Sequence, residues 1–197
     1  MLTWEFEAAA QKEGYRSICG IDEAGRGPLA GPVAAAAVIL PYEIEIEGLN
    51  DSKKLSEKKR EALFSVITEK ALSYCIAYAT PAEIDEYNIL NATMLAMHRA
   101  LDGLSVPADF ALIDGNCARG FEIPVRTVVG GDGKSPSIAA ASILAKVSRD
   151  RLCAELDRQY PQYGFRQHKG YGTKVHMEAL RQYGPCPAHR KTFLKFL

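Results

Sequence analysis

Residues 20–27 read Gly-Ile-Asp-Glu-Ala-Gly-Arg-Gly. A short apolar segment with Ile18 and Ile21 leads into the adjacent acids Asp22 and Glu23, and the turn Gly25-Arg26-Gly27 follows directly. Glycine lets backbone N–H groups approach a ligand closely. The pattern therefore predicts a strand that carries carboxylates to a glycine turn, where they hold a divalent metal beside a phosphate. The alternative for an isolated Asp-Glu pair is a surface turn with two solvated acids.

The same turn matches the spacing of the dinucleotide-binding fingerprint, G-x-G-x-x-G/A, over residues 25–30. That motif needs a helix that begins at the turn, so that the pyrophosphate meets the helix N-terminus. Here Pro28 and Pro32 interrupt any such helix, and an apolar run over residues 33–40 follows. We interpret this run as a buried strand, which disfavours the dinucleotide site.

Strand and helix patterns alternate along the rest of the chain. Strands are predicted over residues 17–23, 33–40, 73–79, 110–113 and 125–129. Helices are predicted over 3–13, from Ser56, from Pro81, over about 91–104, from Ser135-Pro136 to about 160, and over about 173–183, with a loop over 161–172. Ser56 is a typical N-cap, and Pro136 suits a first helical position. The mixture predicts one α/β domain over residues 1–197 with a central sheet.

Three segments share one order, in which an acid follows an apolar strand and precedes glycine: 21–25, 112–115 and, after the strand predicted at 125–129, 130–133. Ligands gather at strand ends in such sheets, so we expect Asp22, Glu23, Asp114 and Asp132 to converge. Carboxylate oxygens suit Mg²⁺ or Mn²⁺, and a cation relieves the repulsion among four acids. The alternative for any single Asp-Gly pair is a turn. Strand neighbours point to opposite faces, so Asp22 is the expected central ligand, while Glu23 needs a backbone kink or uses its carbonyl.

Composition and cysteine usage narrow the class of protein. The chain has 197 residues, and its hydrophobic fraction of 47% and charged fraction of 24% are ordinary for a globular protein. No apolar stretch approaches the ~20 residues that a membrane helix needs, and the first residues lack the pattern of a signal peptide. The five cysteines include no C-x-x-C pair, so neither a zinc site nor a disulfide framework is indicated. We expect a cytoplasmic location.

Charge is unevenly distributed along the chain. Residues 1–145 contain 13 Lys and Arg against 20 Asp and Glu, whereas residues 146–197 contain 11 against 4. The net charges are therefore −7 and +7. An acidic body and a basic C-terminal segment suit a protein that holds cations in one place and a polyanion in another. The alternative is a set of solvated helix faces that are basic by chance.

Together these segments resemble the type 2 ribonucleases H, in particular the bacterial ribonuclease HII branch. The resemblance covers nearly the whole chain and rests on several motifs in order: residues 20–27, 30–33, 50–53, 91–93, 113–116, 131–132 with 134–135, 139–147, 149–150 and 168–173. It implies an RNase H-like α/β fold, with a central mixed sheet flanked by helices and a helical, basic, substrate-contacting region over about 161–197.

The resemblance also implies an activity and a site. Family members cleave RNA in RNA–DNA hybrids and cut on the 5′ side of a single ribonucleotide in duplex DNA, leaving 3′-hydroxyl and 5′-phosphate ends, as in ribonucleotide excision repair. Their four metal-binding acids fall here on Asp22, Glu23, Asp114 and Asp132. The implied cofactor is Mn²⁺ or Mg²⁺, with two ions when substrate is bound, acting in an in-line displacement.

Substrate contacts are likewise implied by the resemblance. The backbone of Gly25-Arg26-Gly27 contacts the ribonucleotide 2′-hydroxyl, and Tyr171 stacks against the neighbouring deoxyribose. The candidate phosphate contacts are Lys53, Lys134, Ser135 and Lys169, with Arg26 as a further candidate. Lys134 and Ser135 also stand at a predicted helix N-terminus, which favours phosphate. The alternative for Tyr171 is a loop aromatic that packs on the core.

The expected partners are RNA–DNA hybrids and DNA duplexes that contain ribonucleotides. We expect a monomer with no obligate protein partner and no membrane association. Two other classes remain open: another metal-dependent nuclease of the RNase H fold, such as a junction resolvase or an integrase-like protein, and a non-catalytic nucleic-acid binder with a degenerate metal site.

Overall fold

A five-stranded sheet organises the computed structural model, which describes residues 2–195. The strands are β1 (Ile18–Ala24), β2 (Val33–Ile39), β3 (Ser73–Ala79), β4 (Phe110–Asp114) and β5 (Val125–Val128), in the spatial order β3-β2-β1-β4-β5. β1, β2 and β3 pair antiparallel, whereas β1 with β4 and β4 with β5 pair parallel. The carboxyl ends of β1, β4 and β5 therefore lie at one end of the sheet.

Helices cover both faces of this sheet. They are α1 (Glu5–Lys12), α2 (Glu57–Lys70), α3 (Pro81–Asp102), α4 (Pro136–Gln159), α5 (Phe165–His168) and α6 (Lys174–Tyr183), with short 3₁₀ turns at Ser52–Lys54, Gly131–Gly133 and Lys191–Phe193. α3 packs on one face, and α4 with α2 packs on the other. None of the helices in residues 2–195 combines the length and the apolar character that crossing a bilayer requires.

The alanine-rich run after Pro32 is strand β2, and it is buried along its whole length. Ala35 and Ala37 pack toward Met97 of α3, and Ala36 packs toward Ile143 of α4. Small side chains on both faces of a central strand let the two helix layers approach closely. The strand interpretation is therefore confirmed, and the helix that a dinucleotide fingerprint needs is absent at residues 33–39.

The start of α4 lies directly on the backbone of β1. A Cβ added at Gly20 would stand 2.1 Å from the carbonyl carbon of Ser137, which is far inside van der Waals contact. Only glycine at this position lets the helix sit so close to the strand. The approach fixes α4 relative to the residues that follow Gly20, including Asp22.

α3 runs from Pro81 to Asp102 with a kink at Asn88 (φ 66°, ψ 166°), and the kink divides it into two helices, as predicted. The Asn88 side chain accepts hydrogen bonds from Leu90 and Asn91 backbone N–H groups, at 3.0 and 3.1 Å, and so caps the second part. The expected loop over 161–172 contains the short helix α5.

The C-terminal region returns to the glycine turn near the start of the chain. Residues 186–190, which we call the C-terminal strap, run beside residues 29–31 through a bridge between Ala30 and His189. Gly31 N donates to the Ala188 carbonyl at 2.8 Å, and Arg190 N donates to the Leu29 carbonyl at 2.9 Å. The strap therefore ties residues 161–195 to the segment that follows β1.

Candidate active site

The sheet brings the predicted acids together. β1 and β4 pair up to Ile21 and Ile113, so Asp22 and Asp114 follow on neighbouring parallel strands. Glu23 comes next on β1, and Asp132 lies in the 3₁₀ turn after β5. The Asp114 carboxylate also accepts a hydrogen bond from Gly131 N at 2.6 Å, which links β4 directly to the turn that carries Asp132.

Burial and mutual repulsion act on these carboxyl groups. Asp22 is 3% exposed, and burial, followed by the charges of Glu23 and Asp114, raises its pKa well above the usual range. Burial also raises the pKa of Glu23, although the charge of Arg26 opposes this. Burial first and the charge of Asp132 next raise the pKa of Asp114. The acids therefore disfavour simultaneous ionisation unless positive charge is added.

Two cationic side chains already border the cluster. Lys53 Nζ lies 3.2 Å from Asp132 Oδ2, and Arg26 lies 3.4 Å from Glu23 Oε1. Burial alone would lower the pKa of Lys53, but its hydrogen bond to Asp132 and the neighbouring acids raise it. Asp22 forms no ion pair among residues 2–195. Asp22, the most buried of the four acids, therefore has no cationic partner there, and the same holds for Asp114.

The donor set suits a hard divalent ion. Within the described residues, no three His, Cys, Asp or Glu side chains stand close enough to form a ready-made metal cage. Instead, the carboxylates use backbone N–H groups, Lys53 and Arg26 as partners. Oxygen ligands at neighbouring strand ends, one of them buried without a counter-charge, match the preference of Mg²⁺ and Mn²⁺.

A cavity of about 240 Å³ opens beside these acids. Eight of the predicted site residues line it: Asp22, Glu23, Gly25, Arg26, Gly27, Lys53, Asp114 and Tyr171. Asp132 reaches the same place through its contact with Lys53. The wall also includes residues to which the sequence analysis gave no role: Ser52, Ser142, Lys146 and Arg149. Ser52 and Ser142 are joined through their hydroxyls at 2.8 Å, and the Ser142 hydroxyl lowers the pKa of Asp22 against the effect of burial.

The glycine turn needs its two glycines for different reasons. Gly25 has φ +96°, and a Cβ there would stand 1.9 Å from Arg149 Nε. Gly27 does not have a positive φ, and a Cβ there would meet Tyr171 Cε1 at 3.5 Å, an ordinary contact. Gly25 is therefore required by backbone conformation and packing. Gly27 leaves open space on the cavity side, beside the Tyr171 ring.

Two buried arginines, Arg149 and Arg190, hold this part of the site, and neither forms an ion pair with a carboxylate in residues 2–195. Arg190 donates to the carbonyls of Gly25 (2.6 Å), Arg26 (2.8 Å) and Gly31 (2.9 Å). Burial, together with the charge of Arg149, lowers the pKa of Arg190 to about 9, so it remains a cation at neutral pH.

Arg149 extends the same network to the other side of the cavity. It donates to the carbonyls of Pro32 (3.1 Å), Ala30 (3.1 Å) and Lys169 (3.0 Å). The sequence analysis noted the Arg149-Asp150 pair without a role and missed Arg190. An Arg-rich C-terminal segment gives no signal that separates a buried arginine from a surface one.

The carbonyl orientation fixes where the turn's donors point. In a trans peptide, the carbonyl of one residue and the N–H of the next point in opposite directions, and residues 2–195 contain no cis peptide bond. Since the Gly25 and Arg26 carbonyls face Arg190, the N–H groups of Arg26 and Gly27 face away from it. Within the described part of the chain, neither N–H has a protein acceptor.

The remaining predicted phosphate contacts occupy other places. Ser135 is a correction: it is fully buried, its hydroxyl donates to Glu7 at 2.6 Å, and it caps α4, so it does not face the cavity. Lys134 is on the surface, and its Nζ donates to the Val129 carbonyl at 2.6 Å. Lys169 has φ 53°, and its Nζ lies 3.8 Å from Glu57. Roles for Lys134 and Lys169 stay predictions.

Comparisons with known proteins agree with this geometry. A family model described as Ribonuclease HII matches residues 19–196. A curated Ribonuclease HII from Syntrophotalea carbinolica is 55% identical over 188 residues, covering 95% of this chain and 90% of that protein.

Solved structures give the same picture of the fold. The ribonuclease H2 structure from Pyrococcus horikoshii OT3 is similar with a TM-score of 0.74 and 30% identity, covering 90% of this chain and 93% of that one. The PCNA:RNase HII complex from Archaeoglobus fulgidus gives a TM-score of 0.73 and 26% identity, over 89% of this chain and 94% of that one. The predicted RNase H-like α/β fold with a helical C-terminal region is thus confirmed, and the chain belongs to the ribonuclease HII family.

Proposed function

We propose that this protein is an endoribonuclease that hydrolyses the RNA strand of RNA–DNA hybrids and cuts on the 5′ side of a single ribonucleotide in duplex DNA. The products are 3′-hydroxyl and 5′-phosphate ends. One observation carries the proposal: the acid cluster and the unpaired N–H groups of Arg26 and Gly27 border one cavity, with the Tyr171 ring beside them. In such a cavity the acids can hold the metal for phosphodiester hydrolysis while the N–H groups bind a sugar hydroxyl.

The four acids Asp22, Glu23, Asp114 and Asp132 would hold the divalent metal. Mg²⁺ or Mn²⁺, as two ions with substrate bound, supplies activation of water and stabilisation of the leaving 3′-oxygen. Asp22 and Asp114 lie on neighbouring strands, and Glu23 and Asp132 lie at the edges beside Arg26 and Lys53. These two cations restrain the outer carboxylates and place positive charge where the substrate phosphates approach.

The glycine turn supplies the ribonucleotide recognition. The Arg26 and Gly27 N–H groups are preorganised because Arg190 holds the carbonyls on the other side of both peptides. A backbone donor that is fixed in this way bonds to a 2′-hydroxyl without side-chain reorganisation. The 2′-hydroxyl is the group that separates a ribonucleotide from a deoxyribonucleotide.

Tyr171 adds a second element of recognition. Its side chain is 48% exposed and stands beside Gly27, so one ring face is available to a sugar. Lys53, Lys134, Lys169 and Arg26 provide the positive charges that would contact the phosphate backbone, in keeping with the net +7 of residues 146–197 and the cations near the acids. We expect the protein to act as a monomer in the cytoplasm.

The test is cleavage of three matched duplexes of one sequence: all DNA, DNA with one ribonucleotide, and a continuous RNA–DNA hybrid. With Mg²⁺ or Mn²⁺, the second should be cut at the phosphate 5′ to the ribonucleotide, the third at several places, and the first not at all. EDTA should abolish both cleavages. Cutting of all-DNA duplex would favour another nuclease of this fold, and binding without cleavage under every metal condition would favour a non-catalytic binder.

A further inference from the structure

Three buried histidines pack against one another behind Tyr171. The rings of His168 and His176 stack with centroids 4.4 Å apart, and His176 Nε2 lies 3.0 Å from His189 Nε2. His176 has no exposed surface, and His189 is 3% exposed. None of the three touches the acids, so the cluster has no place in metal binding.

The surrounding partners fix one tautomer for each ring. Cys186 N lies 3.0 Å from His189 Nδ1, closer than the Cys186 carbonyl at 3.3 Å, so we assign that nitrogen as the acceptor and place the His189 proton on Nε2. This proton is directed at His176 Nε2, which must then accept, leaving the His176 proton on Nδ1. His176 Nδ1 lies 2.9 Å from the Tyr171 carbonyl, which requires a donor. With the opposite tautomers, His176 Nδ1 and the Tyr171 carbonyl would face each other as two acceptors, and the His189 Nδ1 proton would face the Cys186 N–H.

His168 follows the same logic. Gly170 N donates to its Nδ1 at 3.2 Å, and its Nε2 donates to the Tyr163 carbonyl at 2.7 Å. All three rings are therefore satisfied in the neutral state, and adding a proton to His176 or His189 would break a bond.

The electrostatic environment keeps the pair neutral. The titratable groups that face it are His168, Cys186 and Tyr163, and within residues 2–195 no carboxylate hydrogen-bonds to either ring. Burial first and the charge of His176 next lower the pKa of His189 to about 4, and burial also lowers the pKa of His176. The lowered pKa values favour the neutral form of both rings.

The pair joins the two halves of the proposed ribonucleotide recognition site. His176 holds the Tyr171 backbone, and the Tyr171 ring stands beside Gly27. His189 lies on the C-terminal strap next to Arg190, which holds the Gly25 and Arg26 carbonyls. One hydrogen bond between two rings thus connects the loop that carries Tyr171 to the segment that holds the glycine turn.

We propose that His176 and His189 form a neutral pair with fixed tautomers, and that this pair is a positioning element that sets Tyr171 relative to the Gly25–Gly27 turn. The effect on cleavage rests on the proposed function of Tyr171, whereas the tautomers do not. His176 and His189 do not contact the reacting atoms, and their contribution comes through the Tyr171 backbone.

Ring-nitrogen NMR of the wild-type protein tests the tautomers without any activity measurement. At about pH 7.5, close to neutrality, His176 should carry its proton on Nδ1, and His168 and His189 should carry theirs on Nε2. An Nε2-protonated or charged His176 would overturn the proposal directly, whatever the enzyme does to its substrate.

Two substitutions and a double-mutant cycle test the positioning role. His176→Phe keeps a ring but removes the donor, and should lower kcat/KM on the single-ribonucleotide duplex by about 2- to 13-fold, the range for one hydrogen bond. His176→Asn places an amide donor near the Nδ1 position and should recover part of the loss. In a Tyr171→Ala background, His176→Phe should cost nothing further.

Each result has one meaning. An equal loss from His176→Phe in both backgrounds, or no loss in the wild-type background, would overturn the positioning role. If the Phe variant does not fold, His176→Asn takes its place in the double-mutant cycle with Tyr171→Ala. The positioning role is then supported if the Asn variant keeps more than half of wild-type activity and its loss disappears in the Tyr171→Ala background. Unchanged cleavage by Tyr171→Ala alone would instead refute the function proposed for Tyr171. The NMR test of the tautomers does not depend on that outcome.

Discussion

Gly27→Ala should separate substrate contact from folding at the glycine turn. A Cβ at this position meets Tyr171 Cε1 at 3.5 Å, which is an ordinary contact, and the backbone is not in the left-handed region. The variant should therefore fold, with a change in the free energy of unfolding within about 0.5 kcal/mol. Its melting temperature, measured beside wild type, checks this half of the prediction.

The added methyl should nevertheless block the approach of the 2′-hydroxyl to the turn. A hydrogen bond whose partner is left unsatisfied costs about 1–3 kcal/mol, which corresponds to about 5- to 150-fold in kcat/KM. The assay is steady-state cleavage of the single-ribonucleotide duplex. A wild-type rate from a variant that melts like wild type would refute the assignment of this turn to ribonucleotide recognition.

Gly25→Ala is the matched control for stability. Alanine there adopts φ +96° and brings its Cβ to 1.9 Å from Arg149 Nε. Backbone strain of about 1 kcal/mol and overpacking of about 1–3 kcal/mol should together lower the free energy of unfolding by about 2–4 kcal/mol. Equal melting temperatures for the two alanine variants would show that the packing argument is wrong.

Four further outcomes follow from the site. Asp22→Asn should abolish cleavage. In EDTA at neutral pH it should also raise the melting temperature, because burial and the neighbouring acids disfavour the Asp22 charge. Wild-type turnover in Mg²⁺ would contradict the four-acid site. Tyr171→Ala should reduce cleavage at a single ribonucleotide by roughly 5- to 150-fold, as expected for ~1–3 kcal/mol of stacking, and should affect a continuous hybrid less; equal losses on both substrates would refute a junction-specific role. Lys53→Met should weaken binding to every duplex similarly and reduce the salt slope by about 1, measured by fluorescence anisotropy in EDTA; an unchanged slope would remove Lys53 from the phosphate contacts. The pKa of His189 falls from 6.5 to about 4 on folding, so its neutral state stabilises the protein above pH 6.5, and this stabilisation is lost as pH falls toward 4. Denaturant unfolding at several pH values should show the stability advantage of wild type over His189→Phe shrinking by up to about 3 kcal/mol over that window, and a constant difference would contradict the low pKa.

The sequence was sufficient for the parts of the site that depend on local pattern. Asp22 and Asp114 were predictable because each follows an apolar strand, and parallel pairing of those strands brings the two together. The buried strand β2 was predictable because the prolines on its N-terminal side interrupt a helix and left few alternatives to a strand. These inferences need little knowledge of how distant segments meet.

The rest depended on contacts between distant segments. Ser135 was assigned to phosphate because it precedes a helix, but α1 brings Glu7 to the same place, and the hydroxyl is used there. Arg190 was missed because nothing in a basic segment distinguishes a side chain that returns to Gly25 from one that faces solvent. The tautomers of His176 and His189 follow from backbone partners that local pattern does not reveal.

The contact between Arg190 and the Gly25 carbonyl spans 165 positions of the chain. During synthesis the N-terminal part is made first, so the acids of β1 emerge from the ribosome long before the arginine that immobilises the turn beside them. A chain interrupted before residue 190 carries the carboxylates without that guanidinium. The turn beside the β1 acids is therefore held by a residue that is synthesised long after them.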